Sequence, residues 1–335
     1  MSEYTSISGN ALLEDTEVDF DLFLRADAGG SSNYVLYCRG GEDLSPERRE
    51  ELLSKHADRL CISTEDVDKY IEYQEKNLKK IINDENRSTR QKSGIVYQVA
   101  TKVVADLLEN PKSGKNIERI SEWATNTVGH IIQDNNALSG LLGVSSHDYQ
   151  IYTHSVNTSV LGLLFGKHLS FNEDELTRIG SGMLLHDIGK LAIPVNVINK
   201  PGNLTGEEFK VMKKHPKEGF KMLEYRGNVN SLSLKIVLQH HENYDGTGYP
   251  YGIGGNSIHL FARIARIIDT YDAMTSKRSY AEAMRPFAAL SEMKDKMHGC
   301  FDEELLREFI CFLGPEDQRE KRRSGDTIYS FPSVK

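Results

Sequence analysis

Residues 183–190 read MLLHDIGK and set His186 beside Asp187 at the end of an apolar run. An imidazole holds one cation and a carboxylate can bridge two, so the pair suits a metal cluster. Burying an uncompensated carboxylate after such a run is costly, and coordination removes that objection. Matching ligand types stand at His154 upstream and at His215, His240, His241 and Asp269 downstream. They are too widely spread for a zinc finger and suit a site assembled inside a helical domain. Adjacent histidines on a helix point about 100° apart, so His240 and His241 share one cluster only near a helix end, or when two ions divide them. That demand favours a binuclear centre. Gly189 permits an abrupt change of chain direction, and Lys190 can bring a positive charge to the site. Asp272, three residues after Asp269, reads as a cap or hydrogen-bond acceptor for the loop beyond it. Taken alone, His154 reads equally well as a histidine of the core.

The surrounding pattern is helical. His154 opens a stretch whose Val156, Val160, Leu163 and Leu164 make a packing face. Asn172 with Glu175 caps the helix that carries Ile179, Met183, Leu184 and Leu185 toward His186. Residues 193–202, rich in proline and glycine, read as a loop. Thr205 with Glu208 is a capping box for a helix that brings in His215, just before Pro216. SLSLKIVLQ leads into His240, and Ile264, Ile267 and Ile268 form the apolar face of a helix bearing Asp269.

Further upstream, residues 18–25 and 34–38 are β-prone and joined by AGGSS, which predicts a hairpin or adjacent strands. Leu60 to Ile62 is a further short strand, and the opening residues read as a polar lead. Pro46 starts a helix at its first position, and Ser63 with Asp66 marks another start. From Tyr70 the periodicity is helical, with Val96, Val99, Val103, Val104 and Leu107 forming a stripe that serves either the chain's own core or a second subunit. The fold class is mainly α, with a small α+β regulatory or dimerisation domain at 1–75, a helical connector at 76–110, a helical catalytic domain at 111–320 and a polar tail at 321–335.

The chain has 335 residues, 39% of them hydrophobic, and a formal charge of -8. Such a balance argues against sequence-independent binding to long nucleic acid, while local cations still allow a small anionic substrate. The four cysteines show no metal-type spacing and read as reduced thiols of a cytoplasmic protein. No export signal and no integral membrane anchor is expected.

Residues 140–315 resemble the HD-GYP domain, a branch of the HD metal-dependent phosphohydrolases that cleaves cyclic dinucleotides in bacteria. The matching text is HDIGK at 186–190, IPVNVINKPGNLTGEE at 193–208, HP at 215–216, HHENYDGTGYP at 240–250 and ARIARIIDTYDAMTSKRSY at 262–280. The resemblance implies an all-helical catalytic domain that hydrolyses cyclic di-GMP to linear pGpG and onward to GMP. Its alternatives are another cyclic dinucleotide such as cyclic GMP-AMP, or a silent receptor signalling through the first 75 residues or a protein partner; a homodimer or a signalling-protein partner is the expected assembly. It implies two divalent ions, iron or manganese: one held by His154, His186, Asp187 and Asp269, the second by His215, His240 and His241, with Asp187 bridging. Asp187 and Lys190 would serve catalysis, and Lys190, Tyr249 and Arg278 would hold substrate. Two positions depart from the family. Gln150 stands where some members have a glutamate that helps hold a third metal, and Ala281 stands where a lysine is common. Two ions rather than three are therefore expected.

Overall fold

The computed structural model describes residues 3–7, 12–13, 16–28, 31–42, 45–56, 58–134, 136–144, 151–225, 228–277 and 282–314. The chain forms two compact units, one of Met1–Val103 with Thr125–Val144 and the other of Val104–Ala124 with Ser145–Lys335.

In the first unit, β1 (Tyr4–Ser6), β2 (Leu22–Ala28), β3 (Ser31–Cys38) and β4 (Leu60–Ser63) form an antiparallel sheet of order β1-β4-β2-β3. The expected hairpin is β2-β3, with Arg25 opposite Tyr34. The opening residues are not merely a polar lead. Tyr4 stacks on Tyr34 at 4.1 Å and meets Phe23 edge-on at 4.9 Å, so two aromatic contacts hold a three-residue edge strand that composition alone does not announce. Helix α1 (Pro46–His56) starts at its proline as expected. Helices α2 (Val67–Lys76) and α3 (Leu78–Asn83) split the predicted single helix at Asn77, whose side-chain amide donates to the Tyr73 carbonyl and competes with the helical pattern. Phe20 packs edge-on against Tyr70 and Tyr73 at the centre of this unit.

Helices α4 (Thr89–Glu109) and α5 (Gly114–Gln133) contribute residues to both units, and α6 (Ala137–Val144) ends the first. The α4 stripe of Val96, Val99, Val103, Val104 and Leu107 is buried by the chain itself. None of it is left over for a partner.

The second unit continues with α7 (Ile151–His168), α8 (Glu173–Leu185), the short α9 (Val195–Ile198), α10 (Gly206–Met212), α11 (His215–Glu224), α12 (Ser231–Gln239), α13 (Leu260–Thr275), α14 (Pro286–Lys296) and α15 (Glu303–Leu313). Both predicted capping boxes form, at Asn172 with Glu175 and at Thr205 with Glu208. The capping box at Thr205 does not carry its helix as far as His215. Helix α10 stops at Met212, and His215 opens α11 with Pro216 in that helix's first turn, where a missing N–H costs nothing. Helices α7 and α8 approach closely because Gly180 and Gly166 lie against Leu163 and Leu176, where a Cβ would come within 2.8 and 2.9 Å. The result is a mainly helical protein with one small sheet. Among the described residues no helix is long and apolar enough to cross a membrane.

Candidate metal centre

All seven predicted ligands meet in the second unit. They fall into two groups, Asp187 with His215, His240 and His241, and His154 with His186 and Asp269. Most of them come from helix ends, and Asp269 comes from the interior of α13. His154 sits in the first turn of α7, His186 caps the C-terminus of α8, His215 begins α11, and His240 caps the C-terminus of α12. The helix-end position is what lets His240 and His241 both face inward.

Asp187 stands between the groups. Its Oδ2 lies 3.5 Å from His186 Nε2 and 3.7 Å from His154 Nε2, whereas its Oδ1 lies 3.4 Å from His215 Nε2 and 3.9 Å from His240 Nε2. Asp269 places Oδ1 3.1 Å from His154 Nε2 and Oδ2 3.8 Å from His241 Nδ1. Donors bound to one ion at about 2.1 Å stand about 3.0 Å apart at right angles and about 3.4 Å apart at tetrahedral angles. The spacings found, from 3.1 to 3.9 Å, run from within that range to slightly wider.

The tautomers point the same way. His186 Nδ1 donates to the Met183 carbonyl at 2.6 Å, His215 Nδ1 to Met212 at 2.9 Å, and His240 Nδ1 to Val237 at 3.0 Å. Each ring therefore presents the lone pair of Nε2 inward. His215 Nε2 and His240 Nε2 face one another at 3.2 Å with no proton to share, and His186 Nε2 and Asp187 Oδ1 are buried without a hydrogen-bond partner. A cation in each ligand group would resolve these conflicts. Nitrogen and carboxylate donors without thiolate fit a divalent transition metal.

Burial pushes His215 down to about 4 and, with His186 and His215 beside it, His240 down to about 3, so both are neutral ligands near neutral pH. Burial alone would raise the Asp187 carboxyl, but the Lys190 ammonium, hydrogen-bonded to Oδ2, and the adjoining histidines hold it well below the usual range. The folded histidine values lie below the ordinary 6.5, so on acidification the unfolded chain takes up protons first. The metal-free protein should thus lose stability as pH falls through 6.5 toward 4. Two such histidines predict a loss of about 3 kcal/mol between about pH 7.5 and about pH 5.5, read from urea unfolding midpoints of the chelated chain. An unchanged midpoint would contradict the neutral buried tautomers.

Three features escaped the sequence reading. Asp272 does not serve the loop beyond it: its Oδ2 accepts from His154 Nδ1 at 2.6 Å. The three-residue spacing from Asp269, which puts both on one helix face, was the available signal. Removing such an orienting carboxylate typically costs 10- to 100-fold in metal affinity, so Asp272→Ala should weaken Mn(II) binding by about that factor in chelator competition, and Asp272→Asn by less. Gly189 has a steric role beyond the change of chain direction. It lies where a Cβ would stand 1.9 Å from the His215 carbonyl oxygen, so its role is to let the turn after Asp187 touch the start of α11. Third, Phe209 and Lys213, which the sequence did not single out, join Tyr249 in an aromatic and basic rim beside the ligands. Tyr249 lies 4.7 Å from the His241 ring and meets Phe209 edge-on at 6.2 Å, with Lys213 Nζ 5.4 Å from the Tyr249 ring centre. Gln150, Arg278, Ala281 and the predicted tail lie outside the described residues.

Residues 141–305 match the model of the HD domain family. This matched stretch, just under half of the chain, is similar to HD domains. The HDIGK and GYP text within it carries the resemblance to the HD-GYP branch. The chain is 33% identical over 217 residues to the cyclic di-GMP phosphodiesterase PA4108 of Pseudomonas aeruginosa, a stretch covering 64% of this chain and 52% of that protein. It is 42% identical over 142 residues to the cyclic di-GMP phosphodiesterase response regulator RpfG of Xanthomonas campestris, covering 42% of this chain and 37% of the relative. The match thus spans about half or less of these relatives' length. Among solved structures, Bd1817, a HDG"Y"P protein from Bdellovibrio bacteriovorus, superposes with a TM-score of 0.64 over 91% of this chain and 98% of its own at 22% identity, a likeness of fold.

Proposed function

We propose that this protein is a binuclear metal-dependent phosphodiesterase that hydrolyses cyclic di-GMP in the cytoplasm. The observation that carries the reading is the Asp187 carboxylate, whose two oxygens face separate ligand groups. The names of the two bacterial relatives support the substrate class. His154, His186, Asp187 and Asp269 would hold one ion and Asp187, His215, His240 and His241 the other, with iron or manganese favoured by the donor set. Two divalent ions so placed supply Lewis acidity toward a phosphoryl oxygen and a nucleophile at neutral pH.

The chain's own groups do the rest. Lys190 brings a positive charge to the mouth of the site, where negative charge grows on the phosphoryl oxygens. Tyr249 and Phe209 offer flat faces for a nucleobase, and Lys213 beside them can meet its phosphate. Burial and the nearby Asp269 carboxylate raise the Tyr249 phenol, so it stays protonated and can donate. Arg278 would pair with a second phosphate through its planar fork. A first cut would give linear pGpG, and a second would give GMP.

The test is turnover by protein loaded anaerobically with Fe(II), and separately with Mn(II), on cyclic di-GMP, 3′,3′-cyclic GMP-AMP and a simple phosphomonoester. Metal-dependent release of pGpG, abolished by chelation, is expected. Faster cleavage of cyclic GMP-AMP would reassign the substrate. Binding without cleavage under either loading would make the chain a receptor and refute the enzyme.

A further inference from the structure

The first unit contains a cavity of about 310 Å³ that the catalytic reading does not use. It lies among β1, β4, α2 and α4, and Ile62, Val67 and Ile95 give it an apolar wall. Its volume is at the lower end of the range for small-molecule sites.

Two polar side chains in that cavity each keep one buried atom without a hydrogen-bond partner. Arg87 is 6% exposed and Gln74 1%. The Arg87 guanidinium spends its Nε on Asp84 Oδ2 at 2.7 Å, and its Nη1 is buried with no acceptor. The Gln74 amide donates to the Tyr70 hydroxyl, and its Oε1 is buried with no donor. An unmet cationic donor and an unmet neutral acceptor thus line one cavity. Leaving such groups unsatisfied is costly, and buried arginine is normally paired.

We propose that this cavity binds a small carboxylic acid bearing a hydroxyl or amino group. The carboxylate accepts from Arg87, the hydroxyl or amino group donates to Gln74 Oε1, and the apolar remainder lies against Ile62, Val67 and Ile95. The charge fits a monocarboxylate. Arg87 is already half committed to Asp84, and Arg90, which also lines the cavity, is exposed and screened by solvent. One free guanidinium edge matches one carboxylate better than it matches a phosphate dianion.

Gly94 supplies a way to close the cavity without disturbing the fold. It lines the cavity from within α4, and a Cβ built on it meets no atom within 4 Å. Gly94→Leu therefore grows into open space, and it replaces a poor helix former by a good one.

The full chain, with its metal site loaded, is titrated by calorimetry with acetate, lactate, 2-hydroxyisovalerate, serine, valine and inorganic phosphate. Saturable binding of a hydroxy or amino acid at one site per chain is expected, tighter than acetate. Arg87→Gln should weaken it about tenfold or more. Gly94→Leu should abolish it while metal content and thermal midpoint hold, which separates occupation of the cavity from any folding defect in the arginine variant. Absence of binding by every acid would show that solvent alone fills the cavity and overturn the proposal. So would phosphate binding as tightly as the acids, or wild-type affinity in Gly94→Leu.

Discussion

Asp187→Asn is expected to lower turnover of cyclic di-GMP by on the order of 10³-fold or more, with loss of bound metal, while the protein still folds. The change keeps side-chain volume and removes one negative charge at the point where both ligand groups converge. The amide can offer one carbonyl oxygen, so it serves at most one group, and its nitrogen faces the other as a donor. It also deprives Lys190 of its carboxylate partner, which leaves a cation close to where two further cations must sit. Metal analysis alongside kinetics separates the causes. Full metal content with near wild-type activity would refute Asp187 as the junction.

The second large effect concerns a residue with no side chain. Gly189→Ala places a Cβ 1.9 Å from the His215 carbonyl oxygen and 2.5 Å from the Gly219 nitrogen. Both are backbone atoms of α11, so relief requires that helix to move, and His215 moves with it. Destabilisation of about 3 kcal/mol or more is expected in urea, with impaired metal binding even where the variant folds. Gly206→Ala is the control, because a Cβ there meets nothing within 4 Å. Equal stability of the two variants would show that the close approach is not required.

The contrast between these residues explains how much was legible in the sequence. His186, Asp187 and their five distant partners could be named because histidine and aspartate after apolar runs have few inexpensive fates other than coordination. Their helices were legible from periodicity and from two capping boxes. Less legible was anything set by distance between backbones. Gly189 looks like a turn residue in a string of letters, and only the packing of α11 against it shows a steric role. Asp272 stood beside a ligand on the same helical face, but nothing local says that His154, more than a hundred positions earlier, brings its ring there. Strand β1 is three residues long and depends on Tyr34 and Phe23 from other strands. His215 was read as the end of one helix because the capping box pointed forward; the break at Met212 obeys the proline that follows His215.

The measurement that bears most directly on the centre is anomalous diffraction from manganese-loaded crystals, with metal content determined independently. Two peaks are predicted, one within reach of Asp187 Oδ2, His154, His186 and Asp269 and the other within reach of Asp187 Oδ1, His215, His240 and His241. One peak with Asp187 turned away, or three fully occupied peaks, would contradict the binuclear site.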